Sequence, residues 1–387
     1  MTEFHFLQPL DVLYLRGNRL FGDSSATGEA IMPPWPSLAA GALRTQLLVN
    51  GGVDVGQFAE NNAALSVALV QSLGTPTQPG DFRISHFLLG RFEDKAAELA
   101  DVYWPLPADV VITADTGGPK QVHPLQPHRL PLAIQSSAPC EQIPLLRTDK
   151  QVKPESGLWL NLEGMQAWLN GQIIEAKYLV EPRALWNIDS RLGISLDAQA
   201  RTTSDGQLYT VDAVALNSGV GFLAGIAGCA GLLPKNGALR LGGDGRAAHH
   251  SVTEWQAPRP NWQQIAHDKR FKVLLTTPGL FEQGWLLPNM SAHNGGYVWK
   301  TPDFSARFVS AVINRAEIIS GWDIAENKPK PALKAVSTGS VYWFDDFEGD
   351  ISELEKLVEQ SLFKLDSYPD TKRRAEGFNN ILIGRWS

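Results

Sequence analysis

Phe4-His-Phe-Leu-Gln-Pro-Leu-Asp-Val-Leu-Tyr-Leu-Arg16, a glycine-rich run from Gly17 to Gly28, and Pro33-Pro-Trp-Pro-Ser37 leading into Leu38-Ala-Ala-Gly-Ala-Leu-Arg44 together decide the fold. The first run is rich in Phe, Leu, Val and Tyr, which suit a pleated surface, and it predicts a long strand interrupted at Pro9, where the ladder loses a donor. The glycine-rich run predicts a loop. Ser37 is expected to cap a helix in which Ala39, Ala42, Leu43 and Leu47 recur at helical spacing. Strand, loop and helix open an α+β unit.

Working outward, the prolines and polar interruptions between about 101 and 187 predict a long insertion or projecting hairpins rather than a compact layer. Strand-like runs resume at Leu192 to Leu196, Leu208 to Leu216 and Leu239 to Leu241. Ala257-Pro-Arg-Pro260 reads as a stiff linker dividing residues 1–260 from 261–387. Beyond it come runs at Phe271 to Thr276, Arg307 to Ile313 and Val341 to Phe344. Ser352 and Glu355 form a capping-box pattern before Leu354, Leu357, Val358 and Leu362, and Ile381 to Trp386 reads as a last strand. Three strands, a helix and a strand fit a ferredoxin-like βαββαβ unit whose first helix is lost to loop. The expected class is therefore α+β: two ferredoxin-like (RRM-like) domains, the first carrying the insertion.

At 387 residues the chain exceeds a usual single core, and its 43% hydrophobic and 19% charged content is that of an ordinary globular protein. A net charge of -7 counts against a broad nucleic-acid surface but leaves room for a local patch of Lys and Arg. Cys140 and Cys229 lie in no CxxC, so reduced thiols in a cytoplasmic protein are expected rather than a disulfide framework or zinc ribbon. Met1 to Phe6 lacks the basic start of a targeting segment. The most apolar stretch, Gly219 to Leu233, is too short and too glycine-rich to span a bilayer, so no membrane role is expected.

Signals for catalysis are weak. Gly219, Gly221 and Gly225 miss the dinucleotide spacing by one and precede no βαβ series, which favours tight packing over a cofactor. No P-loop and no GxSxG occur. His123 and His128 are separated by prolines, and Asp345, Asp346, Glu348 and Asp350 lack the order of calcium ligands, so neither a metal nor any other cofactor is expected. His249-His250 could supply an acid or base to RNA cleavage, although loop histidines are more commonly exposed bystanders. Gly242-Gly243-Asp244-Gly245 with Arg246 could cradle a phosphate or make a plain turn. Two basic clusters remain, Lys328-Pro-Lys330 with Lys334, and Lys372-Arg373-Arg374 ahead of Gly377.

Several ordered pieces resemble the third-subunit family of the Cmr complex, the type III-B CRISPR effector, within the repeat-associated mysterious protein (RAMP) superfamily. They are Pro9 to Arg16 with Leu20-Phe-Gly22, Pro33 to Ser37 with Gly41 to Arg44, Arg191 to Asp197 with Gly206 to Tyr209, and Leu241 to Arg246. Gly321-Trp-Asp323 through Lys328-Pro-Lys330 to Gly339-Ser-Val-Tyr342, and Gly377-Phe-Asn-Asn-Ile-Leu-Ile-Gly384-Arg-Trp386, complete the series. Residues from about 51 to 153 match poorly. The resemblance implies a non-catalytic subunit that holds the 5′ tag of the CRISPR RNA and docks onto the large polymerase-like subunit and the backbone subunits. It implies RNA contact by Arg44 on the first helix and by the glycine-rich loop Gly377 to Gly384, flanked by Arg373 and Arg374. Arg16, Arg19, Gly242, Gly243, Gly245, Arg246, Lys328 and Lys330 complete the expected RNA-binding set. Asn379 stands where that loop often has glycine. It is expected to adopt a left-handed backbone and to tolerate glycine freely. A metal-independent endoribonuclease using His249 or His250, and a carbohydrate-binding protein using the 12 Trp, remain as alternatives.

Overall fold

The computed structural model describes residues 2–15, 30–93, 98–114, 118–130, 136–146, 153–196, 203–323, 326–365 and 371–386. It is a mixed α/β protein built on two antiparallel sheets. The first contains β1 (Glu3–Pro9), β2 (Arg83–Glu93), β3 (Glu98–Pro105), β4 (Trp159–Leu160), β5 (Leu179–Val180), β6 (Val220–Ala227), β7 (Asn236–Arg240) and β8 (Ala247–Val252). Their order across the sheet is β7-β8-β1-β6-β2-β3-β4-β5. The second contains β9 (Phe271–Leu275), β10 (Met290–His293), β11 (Gly296–Lys300), β12 (Phe304–Val312), β13 (Val341–Gly349) and β14 (Ile381–Arg385), in the order β10-β11-β12-β13-β9-β14.

The central strands are apolar on both faces because each sheet is covered twice. In β2, Phe87 and Leu89 face the helix α1 (Ser37–Asn50), while Leu88 faces the other sheet. In β6, Phe222 and Ala224 take the α1 side and Leu223 the opposite one. The second sheet repeats the alternation. Val273, Leu275, Ile381 and Ile383 pack with the helix α3 (Ile351–Gln360), and Leu274 and Leu382 point into the shared core. Period-two alternation within nearly continuous apolar runs is what a doubly covered strand requires. The glycines of β6 fit that packing. A Cβ at Gly221 would lie 2.6 Å from the Phe6 ring and 2.5 Å from the Leu7 carbonyl oxygen, so the cofactor alternative has no support in this strand.

The insertion departs from expectation. Two hairpins do occur, Val110–Thr113 with Gln121–Pro124 and Gln126–Arg129 with Gln142–Leu145, but Asp101 to Pro105 belongs to β3. The helix α2 (Leu162–Leu169) is buried in the core between the sheets. Asp109 accepts hydrogen bonds from Trp168 Nε1 at 2.7 Å and from Lys272 Nζ at 2.7 Å, and that ammonium lies 4.2 Å from the Trp168 ring centroid. All three side chains are buried. Trp168 also covers β14, the outer strand of its sheet: a Cβ at Gly384 would meet the indole at 2.7 Å. The insertion thus covers the inner face of this outer strand.

Two caps differ from the sequence reading. Ser37 is the first helical residue of α1, behind Pro36, and makes no side-chain cap. Asp350, rather than Ser352, caps α3 by accepting from the Ser352 N–H at 2.9 Å, so the acidic run ends in a helix cap. No helix among the described residues is long and apolar enough to cross a membrane.

Replacing Asp109 with Ala leaves the Lys272 ammonium buried without its carboxylate, and should cost about 3–5 kcal/mol of stability. The check is a lower urea midpoint at unchanged slope. A loss below about 1 kcal/mol, the range of exposed pairs, would show that the insertion is not held by this contact.

Candidate nucleic-acid interface

A groove of about 380 Å³ runs between α1 and the second half of the chain. On α1, Ser37, Gly41, Arg44, Thr45 and Leu48 follow the three-and-four spacing of one helix face, and all line the groove. Leu43 and Leu47 of the same helix are buried against the first sheet. Trp35 fixes the start of the helix to the second half by donating its indole N–H to Glu317 Oε2 at 3.3 Å.

The facing wall combines an antiparallel excursion from Glu317 to Ala335 with the 3₁₀ turn Thr371–Glu376. The buried Glu376 carboxylate receives Lys330 Nζ on Oε1 and Arg373 Nη1 on Oε2, the latter at 2.8 Å. Arg373 is itself buried and also donates to the Ser320 carbonyl at 3.2 Å. Burial lowers the pKa of Arg44 from its ordinary value, and Glu376 partly offsets that effect. A guanidinium remains charged even so. Three cations therefore gather about the Glu376 carboxylate, and Asp323 is a second acid on the groove lining. Trp322, 52% exposed, stands at the lip of the groove.

A family model described as CRISPR-associated protein (Cas_Cmr3) matches residues 5–386. The chain belongs to the Cmr3 family. In a solved structure of the type III-B Cmr-beta assembly bound to cognate target RNA and AMPPnP, one chain resembles it at 16% identity and a TM-score of 0.51. That match covers 98% of this chain and 96% of that one. A second structure, bound to cognate target RNA, gives 16% identity and a TM-score of 0.49 over the same shares. At such identity the likeness is one of fold. No curated protein matches the chain by sequence.

In this Cmr3-family chain the expected RNA-binding residues divide into distinct groups. Arg44, Lys330 and Arg373 converge on the groove. Lys328 is exposed nearby and pairs with Glu326. Gly242, Gly243, Gly245 and Arg246 form a separate turn. Gly243 N–H donates to the Tyr14 carbonyl at 3.1 Å, while Arg246 pairs with Asp11 and lies 5.0 Å from the Tyr14 ring centroid. Arg374 is half-buried beside the groove wall. Arg16 and Arg19 lie outside the described residues.

The glycine-rich loop is buried. A Cβ at Gly377, whose φ is +83°, would lie 2.7 Å from Ile84 Cβ, so protein packing accounts for this glycine as it does for Gly384. Asn379 has φ 63°, the left-handed backbone expected of it. Its amide, however, accepts from the Leu280 N–H at 2.6 Å and donates to the Leu280 carbonyl at 3.3 Å, so glycine is not an equivalent residue there. His250 is fully buried, its Nδ1 3.3 Å from His5 Nδ1, and His249 is exposed; the two do not form an accessible pair. Among the described residues no group of three His, Cys, Asp or Glu is placed to hold a metal ion. Sequence reasoning passed over Glu376, Trp35 and Trp322. The i,i+3 spacing of Arg373 and Glu376 was the available signal for the first.

Asn379→Gly should lose about 1–3 kcal/mol by leaving buried Leu280 backbone groups unpaired, and Asn379→Val more, because a branched side chain resists the left-handed region. Equal urea midpoints for wild type and Asn379→Gly would contradict this. Burial also holds His86 and His250 at about 4 rather than 6.5. The unfolded chain thus takes up protons between pH 6.5 and 4 that the folded chain does not. Stability should be fully present above pH 6.5 and fall as pH drops toward 4. A melting temperature flat across that window would show that both imidazoles protonate in place.

Proposed function

We propose that this chain is the non-catalytic RNA-binding subunit of a type III-B CRISPR ribonucleoprotein effector. In this reading it holds the repeat-derived 5′ tag of the guide RNA and docks onto the large polymerase-like subunit and the backbone subunits, in the cytoplasm. The observation that carries the reading is the groove in which Arg44, Lys330 and Arg373 lie about the carboxylate of Glu376, with Asp323 also on its lining. In a chain of net charge -7, a concentrated cationic site is the form that phosphate binding must take. Family membership supports the same reading, as does the likeness in fold to a chain of an assembly that binds target RNA.

Both sheets are, in this reading, elaborated ferredoxin-like units divided near residue 260. The orders β8-β1-β6-β2 and β14-β9-β13-β12 support it, since each is the 4-1-3-2 antiparallel arrangement of four core strands. α1 and α3 are the helices retained; the other helical connections are replaced by the loop and hairpin around β7 and by the β10–β11 hairpin. Burial of His250 weighs against the ribonuclease alternative, and carbohydrate binding is weakened because Trp322 alone among the 12 indoles is predominantly exposed.

The test is titration of a 5′-tag RNA by fluorescence anisotropy across a salt series, with chelator present. Arg44→Ala and Lys330→Ala should each shallow the slope of log K against log salt by about 0.7, the single-strand coefficient per phosphate, and the RNA should stay intact. Unchanged slopes would place the RNA elsewhere. Sustained cleavage that disappears in a His249→Ala, His250→Ala variant would make the chain a nuclease.

A further inference from the structure

We propose that Glu3, His5 and His250 form a buried, proton-sensitive latch on the outer hairpin of the first sheet, closed while the histidine pair is uncharged and released when His250 takes up a proton. The inference does not depend on the RNA reading. Both rings are fully buried, and their Nδ1 atoms face each other at 3.3 Å. One of these nitrogens must donate and the other accept. Glu3 Oε1 lies 2.6 Å from His5 Nε2, so that nitrogen carries a hydrogen and an uncharged His5 accepts at Nδ1. His250 then donates from Nδ1, which leaves its Nε2 as a bare acceptor. Among the described residues His250 Nε2 has no hydrogen-bond partner, so no acceptor awaits a hydrogen there.

An added proton has no place in the closed form. Whichever ring takes the charge, His250 Nε2 must then carry a buried, unpaired N–H, which is costly. β7 closes that side, since a Cβ at Gly237 would lie 2.9 Å from this nitrogen. Of the surrounding titratable groups, Glu3 on β1 is engaged by His5, and the exposed His249 on β8 opposes a further positive charge. Cys229, just past β6, stays neutral, its thiol pushed up to about 12 by burial and the nearby Glu3. Arg240 of β7 is exposed. Burial, with His5 and His249 adding to it, holds His250 at about 4 rather than 6.5. Opening restores the ordinary value, so a proton is taken up on opening. The latch is therefore fully closed above pH 6.5 and releases increasingly as pH falls toward 4. β7 and β8 are the two strands at one edge of the sheet, so they can open while the inner strands hold. Their connecting turn, Gly242 to Arg246, would leave Tyr14 and Asp11 with them.

Hydrogen exchange of the full chain tests this. Protection of the Asn236–Arg240 and Ala247–Val252 amides, corrected for intrinsic rates and referred to the β9 amides, should fall about tenfold between about pH 6 and pH 5, as uptake of one proton requires. His250→Asn retains a donor near the place of Nδ1 and cannot take up a proton, so its hairpin protection on the same scale should stay flat. A flat wild-type ratio, or an equal fall in both proteins, would overturn the proposal. A second measurement needs no variant. Imidazole nitrogen chemical shifts at about pH 7.5 should place the hydrogen on Nδ1 of His250 and on Nε2 of His5. A hydrogen found on Nε2 of His250 would overturn the latch whether or not His250→Asn folds.

Discussion

A lysine on the inner face of a central strand constrains everything around it. Lys272 alternates with Phe271 and Val273, which face α3, so its side chain must enter the core between the sheets. An ammonium there needs a carboxylate and hydrogen bonds to offset its lost hydration. Asp109 supplies the carboxylate, and Trp168 supplies both a ring face and a donor for the second carboxylate oxygen. The partners come from the insertion, so burial of this lysine ties the second sheet to the insertion. A hydrophobic residue at 272 would pack against many faces, whereas the charged one accepts a single arrangement. The ion pair thus acts on specificity of docking more than on net stability.

A second tie, on the groove side, sets the separation of the groove walls. Asn380 donates from Nδ2 to the Ile84 carbonyl at 3.3 Å and to the Gly377 carbonyl at 2.9 Å, and its own N–H reaches Thr277 Oγ1 at 2.9 Å. Gly377 lies directly on Ile84 of β2. Glu376 and Arg373 precede this buried loop by only a few residues, so their positions relative to α1 follow from how the loop meets β2. The glycine loop therefore shapes the groove without lining it.

Much of the framework was legible because local patterning and tertiary role agree there. The strands at Phe271, Val341 and Ile381, the helix behind Asp350 and the spacing of α1 all follow from alternation or helical periodicity. α2 was not legible. Its eight residues make only about two turns and include a glycine, a poor helix former, and the pair that locks the insertion is 163 residues apart in sequence. The packing role of the glycine loop was not legible for a related reason. A glycine reports that a Cβ has no room, but not whether phosphate, Ile84 or Trp168 fills the space. The Lys372-Arg373-Arg374 cluster looked like exposed charge because its counterion, Glu376, takes effect only when the turn folds back on itself.

That counterion is also what lets an acidic chain present a cationic site. Acids farther than a Debye length of roughly 8–10 Å are screened from any anion that enters the groove. The charges that matter are the ones within it. Glu376, like Asp323 on the same lining, reduces the positive charge of the groove, yet it holds two flexible side chains in a single geometry by bonds at either carboxylate oxygen. Free Lys and Arg side chains would lose rotamer entropy on meeting a ligand, about 0.5–1.5 kcal/mol for each one immobilised. With Lys330 and Arg373 already fixed, much of that loss has occurred during folding. The buried acid lowers the net charge of the site and raises its order.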